Sequence, residues 1–144
     1  MLENILLNAR RAALVACLVT TAACGGTTFV LTPDAAVPFA KGEVAAAPAG
    51  GDNGNMEYTV TVEHLGDPAK LQPSATTYVV WVLPKKEDST LQNMGALKVD
   101  ADYNGELSFK SAFKSFDLTV TAEESADATK PTGRDILKTT VAVE

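Results

Sequence analysis

An Asp-x-Asp-x-Asn-Gly sequence that begins at Asp100 is the clearest candidate for chemistry in this chain. Asp100, Asp102 and Asn104 alternate along it, and alternate carboxylate and amide oxygens can converge on one Ca²⁺ ion. A complete EF-hand loop needs a Glu at its twelfth position, where this chain has Ser111. The same residues also fit a solvent-exposed hairpin turn in which Asn104 and Gly105 supply the positive φ angles. We therefore expect a hairpin turn here, with a weak calcium site as the alternative.

Two other groups have side chains of catalytic types. His64 is the only histidine, and a lone histidine at the end of a predicted strand is typical of a surface position rather than of a zinc site or a Ser-His-Asp triad. Glu123, Glu124 and Asp127 lie close together in the sequence, and paired carboxylates hydrolyse glycosides when an aromatic cleft holds the sugar. The aromatic residues fall mostly on the inward faces of predicted strands. We therefore expect a solvated acidic loop and no enzymatic activity.

The start of the chain has the composition of an export signal. Arg10 and Arg11 precede small and apolar residues at 12–23, and Cys24 follows at a site that resembles a lipobox. The apolar run would be roughly 18 Å long as a helix, too short for a hydrocarbon core of about 30 Å. These features predict a signal peptide over residues 1–23 and a diacylglycerol group on Cys24. Plain secretion with an unmodified Cys24 is the alternative.

The net charge of the chain limits the classes of molecule that it is expected to bind. Removal of residues 1–23 takes away Glu3, Arg10 and Arg11, so the formal net charge changes from −6 to −7. An acidic domain without a basic stripe is a poor nucleic-acid binder and gains nothing from anionic lipid. We therefore expect no nucleic-acid partner and no small-molecule substrate. Attachment to a membrane would depend on the lipid at Cys24.

The mature chain is predicted to consist of a tether and one folded domain. Residues 24–36 are assigned to the lipidated tether, in which Phe29, Val30 and Leu31 are a candidate first edge strand. Residues 37–144 contain seven or eight short strands separated by turn-forming residues. This pattern predicts an all-β, immunoglobulin- or fibronectin-like antiparallel sandwich.

Two strand patterns stand out within this domain. Apolar and polar residues alternate strictly at 56–63, which predicts a strand with one buried face. Residues 76–83 are a continuous apolar and β-branched run, which predicts a central strand covered on both sides. We expect Trp81, in the middle of that run, to lie in the core between the two sheets.

An ordered series of segments in this domain resembles a known family. The series is TYVVWV at 77–82, NMGALKV at 93–99, GEL at 105–107, FDLTVTAE at 116–123 and PTG at 131–133. It resembles the extracytoplasmic C-terminal domain of anti-sigma-K-type factors, and bacterial lipoproteins, myxobacterial ones among them, look similar. The resemblance covers about residues 56–143 and implies an outward-facing β-sandwich, without a catalytic signature.

The same resemblance does not imply transcription control. Anti-sigma factors of this type carry a cytoplasmic sigma-binding domain and a transmembrane helix ahead of this module, whereas the predicted signal peptide and Cys24 stand in that place here. We expect a non-enzymatic envelope lipoprotein, outside the cytoplasm, with a structural or protein-interaction role. One alternative is a sensor or adaptor that binds an envelope protein through a sheet edge or the loops 66–75 and 123–134. The other is a weak calcium-binding surface domain.

Overall fold

The computed structural model describes residues 26–144 of the chain. They form ten strands and one single-turn helix, joined by turns and loops. In chain order the elements are β1 (Thr27–Val30), β2 (Thr32–Pro33), β3 (Lys41–Pro48), β4 (Met56–Glu63), α1 (Pro68–Leu71), β5 (Thr77–Pro84), β6 (Gln92–Ala96), β7 (Lys98–Val99), β8 (Gly105–Ser111), β9 (Ser115–Glu123) and β10 (Asp135–Ala142). The all-β prediction is therefore confirmed.

The strands form two antiparallel sheets of five strands each. The first sheet has the order β1-β3-β4-β8-β7, and the second has the order β2-β10-β9-β5-β6. Every hydrogen-bonded pair of strands in them is antiparallel. Apolar side chains of both sheets belong to one buried cluster, so the sheets pack as a sandwich.

Two strands change sheets, one at each edge of the sandwich. The chain leaves the first sheet after β1 and joins the second as β2, and Leu31 at the change is only 2% exposed. In the same way β6 belongs to the second sheet and β7 to the first, with the buried Leu97 between them. Counted as one strand each, the two switching strands give eight strands, within the predicted range. They also leave only short edges open to further pairing.

The sandwich begins earlier in the chain than the sequence predicts. β1 pairs with β3 from Thr27 onward, opposite Ala46, so strand structure already starts within the predicted tether (24–36). Phe29 packs against the core and Leu31 lies inside it, because these alternate apolar residues face the same side of the strand. The predicted start of the domain at residue 37 is therefore wrong, and the candidate edge strand is confirmed.

The turn between β2 and β3 exposes an aromatic residue, Phe39. Val37 and Phe39 alternate as strand residues would, but β3 starts only at Lys41. The carboxylate of Asp34 accepts a hydrogen bond from the Ala36 N–H at 2.9 Å, which stabilises a turn instead. Val37 is buried by this turn, whereas Phe39 is 81% exposed.

Alternating residues of the central strands form the core between the sheets, as the alternation at 56–63 predicts for β4. They are Met56, Tyr58, Val60 and Val62 in β4, and Phe116, Leu118, Val120 and Ala122 in β9. The rings of Tyr58 and Phe116 meet edge to face across the core, with their centroids 4.9 Å apart. Full burial of an aliphatic or aromatic side chain stabilises a fold by about 1.5–3 kcal/mol, so these residues dominate the stability of the sandwich.

The two ends of the sandwich carry different loops, and we name them accordingly. The near end carries the turn 49–55 and the loops 85–91 and 112–114. The far end carries the turn 34–40, the loop 64–76, the turn 100–104 and the connection 124–134. A buried tyrosine closes each end. The hydroxyl of Tyr58 donates to the Phe113 carbonyl at 2.6 Å near one end, and that of Tyr78 donates to the Gly66 carbonyl at 2.8 Å near the other. Burial raises the pKa of both tyrosines, so both remain hydrogen-bond donors.

Candidate functional site

The Asp100 segment is a hairpin turn between β7 and β8. The Asp100 N–H donates to the Asn104 carbonyl at 2.8 Å, and the Asp100 carboxylate accepts from the backbone N–H groups of Asp102 (2.9 Å) and Asn104 (3.0 Å). These bonds, that of Asn104 above all, lower the pKa of Asp100. The positive φ angle belongs to Tyr103 (φ 60). The prediction that Asn104 and Gly105 supply the positive φ angles is wrong, because Asn104 already forms a backbone hydrogen bond with Asp100 where the pairing of β7 and β8 begins.

Two of the three predicted calcium ligands, Asp100 and Asn104, use a side-chain oxygen to hold backbone N–H groups at this turn. Oδ1 of Asp100 faces the backbone of the turn, and Oδ1 of Asn104 accepts a hydrogen bond from the His64 N–H at 3.2 Å. Within residues 26–144 no group of three or more His, Cys, Asp or Glu side chains is arranged to hold a metal ion. His64 itself is exposed. The hairpin turn therefore accounts for the bonds that these residues make.

Part of the outer face of the second sheet is apolar and buried. Trp81 and Val79 of β5 are fully buried. They lie on the outer face because their neighbours Tyr78, Val80 and Val82 pack in the core between the sheets, and successive strand residues point to opposite faces. The prediction that Trp81 lies between the sheets is therefore wrong. The prediction that β5 is covered on both sides is confirmed.

Trp81 is connected through Thr121 to a buried carboxylate, Glu123. The indole Nε1 donates to Thr121 Oγ1 at 2.8 Å, and the Thr121 hydroxyl donates to Glu123 Oε1 at 2.5 Å. Thr121 and Glu123 both belong to β9, the strand that pairs with β5. All three residues have no exposed surface. Because an indole N–H can only donate, the Thr121 hydroxyl accepts from Trp81 and donates its own hydrogen bond to Glu123.

Glu123 also binds the turn at Thr132 and Gly133. Its carboxylate accepts from the Thr132 N–H (3.0 and 3.1 Å), the Thr132 hydroxyl (2.5 Å) and the Gly133 N–H (3.3 Å). Burial by itself would raise the pKa of Glu123. The hydrogen bonds from Thr121, Thr132 and Gly133 outweigh burial and hold the pKa below its ordinary value. Neutral donors therefore keep this buried carboxylate ionised.

Residues 124–134, which we call the strap, lie over this face of the sheet. Asn93 of β6, which pairs with Trp81, donates through Nδ2 to the carbonyls of Ala126 (2.8 Å) and Ala128 (2.9 Å). No residue of the strap is itself buried. The strap is therefore bound by hydrogen bonds from side chains of the sandwich, without an apolar core of its own.

Strap and sheet lie in close contact at Gly133. A Cβ atom added there would lie 2.3 Å from the carbonyl oxygen of Ala122 and 2.7 Å from Oε1 of Gln72. Since Ala122 is part of β9, the first of these neighbours cannot move away without distorting the strand. Glycine is therefore required at this position for a reason of space.

Glu123 differs from the two acidic residues that the sequence groups with it. Glu124 and Asp127 are exposed, as expected for a solvated loop, but Glu123 is fully buried and the prediction is wrong for it. Glu123 is the last residue of β9 and shares the outward face of Thr121, which places it under the strap. A carboxylate whose two oxygens are both bonded to protein donors, away from solvent, has no position from which to act on a glycoside.

An apolar depression lies at the far end beside Phe39. Its volume is about 250 Å³, and its walls include Val37, Phe39, Leu65 and Leu71. A second depression of about 460 Å³ lies beside Val30, the last residue of β1. Phe39 and Val30, the latter 75% exposed, are the most exposed large apolar residues between residues 26 and 144. Both therefore offer apolar surface to another molecule.

Cys24 and the predicted signal peptide at residues 1–23 lie outside the described residues. β1 begins at Thr27, three residues after Cys24. The chain enters β1 from the near end, because Thr27 pairs with Ala46, close to the end of β3 at Pro48. The helix found in the described part of the chain is too short to cross a membrane.

Comparisons with known proteins do not assign this chain to a family. No protein-family model matches it, and no curated protein matches its sequence. The resemblance to the outward-facing domain of anti-sigma-K-type factors therefore stays a prediction that depends on the quoted segments.

Proposed function

We propose that this chain is an envelope lipoprotein, held outside the cytoplasm by a lipid on Cys24, and that its sandwich is a non-enzymatic protein-interaction module. The observation that carries the proposal is the position of β1, which begins three residues after Cys24 and enters the sandwich from the near end. Three residues span about 10 Å at full extension. A lipid on Cys24 would therefore hold the near end directly at the bilayer surface.

This attachment would orient the sandwich with its far end outward. An eight-residue strand such as β4 is about 27 Å long, so the far end would stand roughly that much further from the bilayer. The turn at the near end, 49–55, consists of small and polar residues. The far end carries the exposed Phe39 and its apolar depression. A protein partner would therefore meet Phe39 first.

The charge of the chain favours a covalent anchor over surface adsorption. The formal net charge is −6, and an acidic domain is not attracted to anionic lipid. One acyl chain gives only marginal membrane binding, whereas two give a stable anchor. The two chains of a diacylglycerol on Cys24 would supply that anchor.

The surroundings of the candidate catalytic groups support an interaction role. Both oxygens of Glu123 are bonded to protein donors. His64 and Asp127 are exposed on different segments, the loop 64–76 and the strap. The Asp100 carboxylate stabilises its own turn. These four groups are therefore not assembled into one reactive site, which supports an interaction role over catalysis.

Lipid attachment is tested by labelling cells that express the full chain with a radioactive fatty acid. We expect label on the protein and recovery in the membrane fraction, and we expect Cys24→Ala to lose both. Cys17→Ala is the matched control and should keep both. A wild-type chain that is soluble and unlabelled, or a label that depends on Cys17, would contradict the proposal.

The interaction role is tested with a photo-crosslinking amino acid at two positions of the anchored protein. We expect a protein adduct of defined mass from position 39 at the far end, and none from position 52 in the near-end turn. Phe39→Asp should decrease co-purification of the same partner while leaving lipid labelling unchanged. Adducts from position 52 alone, or none from either position, would count against a far-end docking surface.

A further inference from the structure

The contacts of the strap differ in kind from those that hold the two sheets together. The sheets share a core of fully buried apolar side chains. The strap is bound through Glu123, through Asn93 and through Thr76, whose hydroxyl donates to the Glu124 carbonyl at 2.8 Å. A partly solvent-exposed ion pair between Arg134 and Asp34, at 2.8 Å, adds a further contact. Each hydrogen bond contributes little net stability because water competes for the same groups, and those to a charged group contribute somewhat more. The strap can therefore detach at a lower free energy than the sandwich unfolds.

The surface beneath the strap is apolar, which is unusual for a surface that detachment of the strap would expose to solvent. Trp81 and Val79 have no exposed surface, although within residues 26–144 no third sheet packs on that side. Exposed apolar stripes of this kind normally mark binding surfaces. Removal of the strap would uncover this stripe in the middle of the second sheet while the core on the opposite face stays packed.

We infer that the strap is an opening cover, that Glu123 holds it closed, and that its release exposes Trp81 and Val79 while both sheets stay folded. The inference does not depend on a lipid at Cys24. Opening regions of proteins are characterised by few buried apolar contacts and by exposed backbone, and the strap has both properties.

Protonation of Glu123 is the chemical event that releases the strap. The ionised carboxylate accepts from Thr121, from the Thr132 N–H and hydroxyl and from Gly133. A proton on either oxygen removes the negative charge, so the bonds from the Thr132 and Gly133 N–H groups lose their charge-assisted strength, and a hydroxyl that faces the new O–H must turn from donor to acceptor. Because Thr121 also accepts from Trp81, the same event loosens the indole.

The charged side chains on the elements around Glu123 are exposed or partly exposed to solvent. They are Glu124, Asp127, Lys130 and Arg134 on the strap, Asp117 on β9, Asp135 and Lys138 on β10, Asp67 and Lys70 at α1, and Asp34, which forms an ion pair with Arg134. Solvent screens the charges of these groups, and the hydrogen bonds to the Glu123 carboxylate come from neutral donors. A change of pH from 7 toward 3 therefore acts on the strap mainly through Glu123.

The experiment uses Trp81, the only tryptophan, as the reporter. Acrylamide quenching of its fluorescence and far-UV circular dichroism are recorded on the purified full chain from pH 7 to pH 3. We expect quenching to rise by about 2- to 5-fold at a higher pH than the loss of β structure, as for a local opening. Glu123→Gln should be quenched more than wild type at pH 7 and should lose the pH response. The exposed neighbour is the matched control: Glu124→Gln should follow the wild-type profile.

Hydrogen exchange on the wild-type chain tests the same inference without a substitution. The Thr132 and Gly133 amides, which donate to Glu123, should exchange about 100-fold faster than the Val80 and Val120 amides of the core strands. Equal exchange free energies for these four amides would overturn the inference. So would quenching and dichroism that change in one step at every pH, or a Glu123→Gln chain that keeps the wild-type pH profile.

Discussion

The outer faces of the two sheets differ in what covers them. On the first sheet, the outward residues Glu57, Thr59 and Thr61 of β4 are partly exposed and polar. On the second sheet, the outward residues Val79 and Trp81 of β5 are fully buried beneath the strap. The difference already appears in the sequence, because the first strand alternates strictly and the second is continuously apolar. One side of this sandwich therefore has an additional layer, made of a loop.

Two hydrogen bonds show what that layer changes. On the first sheet, Thr59 Oγ1 and Ser108 Oγ lie 2.9 Å apart and are exposed. On the second sheet, Trp81 Nε1 donates to Thr121 Oγ1 at 2.8 Å in a fully buried setting. Water can replace the first bond when it is lost, but not the second. The two bonds have nearly equal lengths and should differ clearly in their contribution to stability.

The largest expected effect comes from Trp81→Ala. Removal of a fully buried indole should lower the free energy of unfolding by about 3–5 kcal/mol, as in a core, although Trp81 lies outside the core. Urea titration followed by far-UV circular dichroism measures this loss. Leu83→Ala, on the same face of β5 at a position that is 37% exposed, should cost much less. A loss below about 1 kcal/mol for Trp81→Ala would mean that the strap does not seal this face.

Gly133→Ala tests the contact between strap and sheet. The new methyl group would meet the Ala122 carbonyl oxygen, and overpacking of this kind costs about 1–3 kcal/mol. Lys130→Ala, at an exposed position of the same strap, should change the free energy of unfolding by less than about 0.5 kcal/mol. Equal effects for the two variants, measured by urea titration, would show that the strap does not press on β9 at Gly133.

Periodicity in the sequence predicts the inner face of the sandwich well. The alternation at 56–63 and at 116–122 places the core residues correctly, because each such strand has one wet and one dry face. The continuous run at 76–83 correctly predicts a second covered face. It does not predict which face Trp81 occupies, because both faces of such a strand are apolar. Only the register with β9, which sets Trp81 opposite Thr119, decides this.

The candidate site was harder to predict because its partners are distant in the sequence or look like loop residues. Glu123 precedes an acidic stretch, and nothing in its own neighbourhood marks it as buried. The available signal was its spacing of two from Thr121, on the opposite face from the apolar Val120 and Ala122. The role of Gly133 depends on close packing against another strand, which a turn-like Pro-Thr-Gly sequence does not reveal.

The loss of stability at acid pH distinguishes the buried carboxylate of Glu123 from the exposed carboxylate of Asp100. The pKa of Glu123 lies below the ordinary value of 4.5, so its contribution is complete above that value and is lost as the pH falls through the lowered pKa. Glu123→Gln should therefore flatten the decline in unfolding free energy between pH 5 and pH 2.5, measured by urea titration. The pKa of Asp100 is lowered too, but Asp100 lies in an exposed turn where solvent screens its interactions. Asp100→Asn should leave most of the decline in place, and equal flattening by both would contradict a special role for Glu123.

The smallest effect is expected on the outer face of the first sheet, from Thr59→Val. The substitution removes the bond to Ser108 but leaves a β-branched side chain on a strand, so the free energy of unfolding should change by less than about 0.5 kcal/mol. The matched change on the second sheet, Thr121→Val, leaves Trp81 Nε1 without its acceptor and Glu123 without a donor, which should cost about 1–3 kcal/mol. Both variants keep the strand and the side-chain shape, so their difference in urea titrations isolates the effect of the strap. If the two costs are equal, water reaches Thr121 as freely as Thr59, and the second sheet has no sealed outer layer.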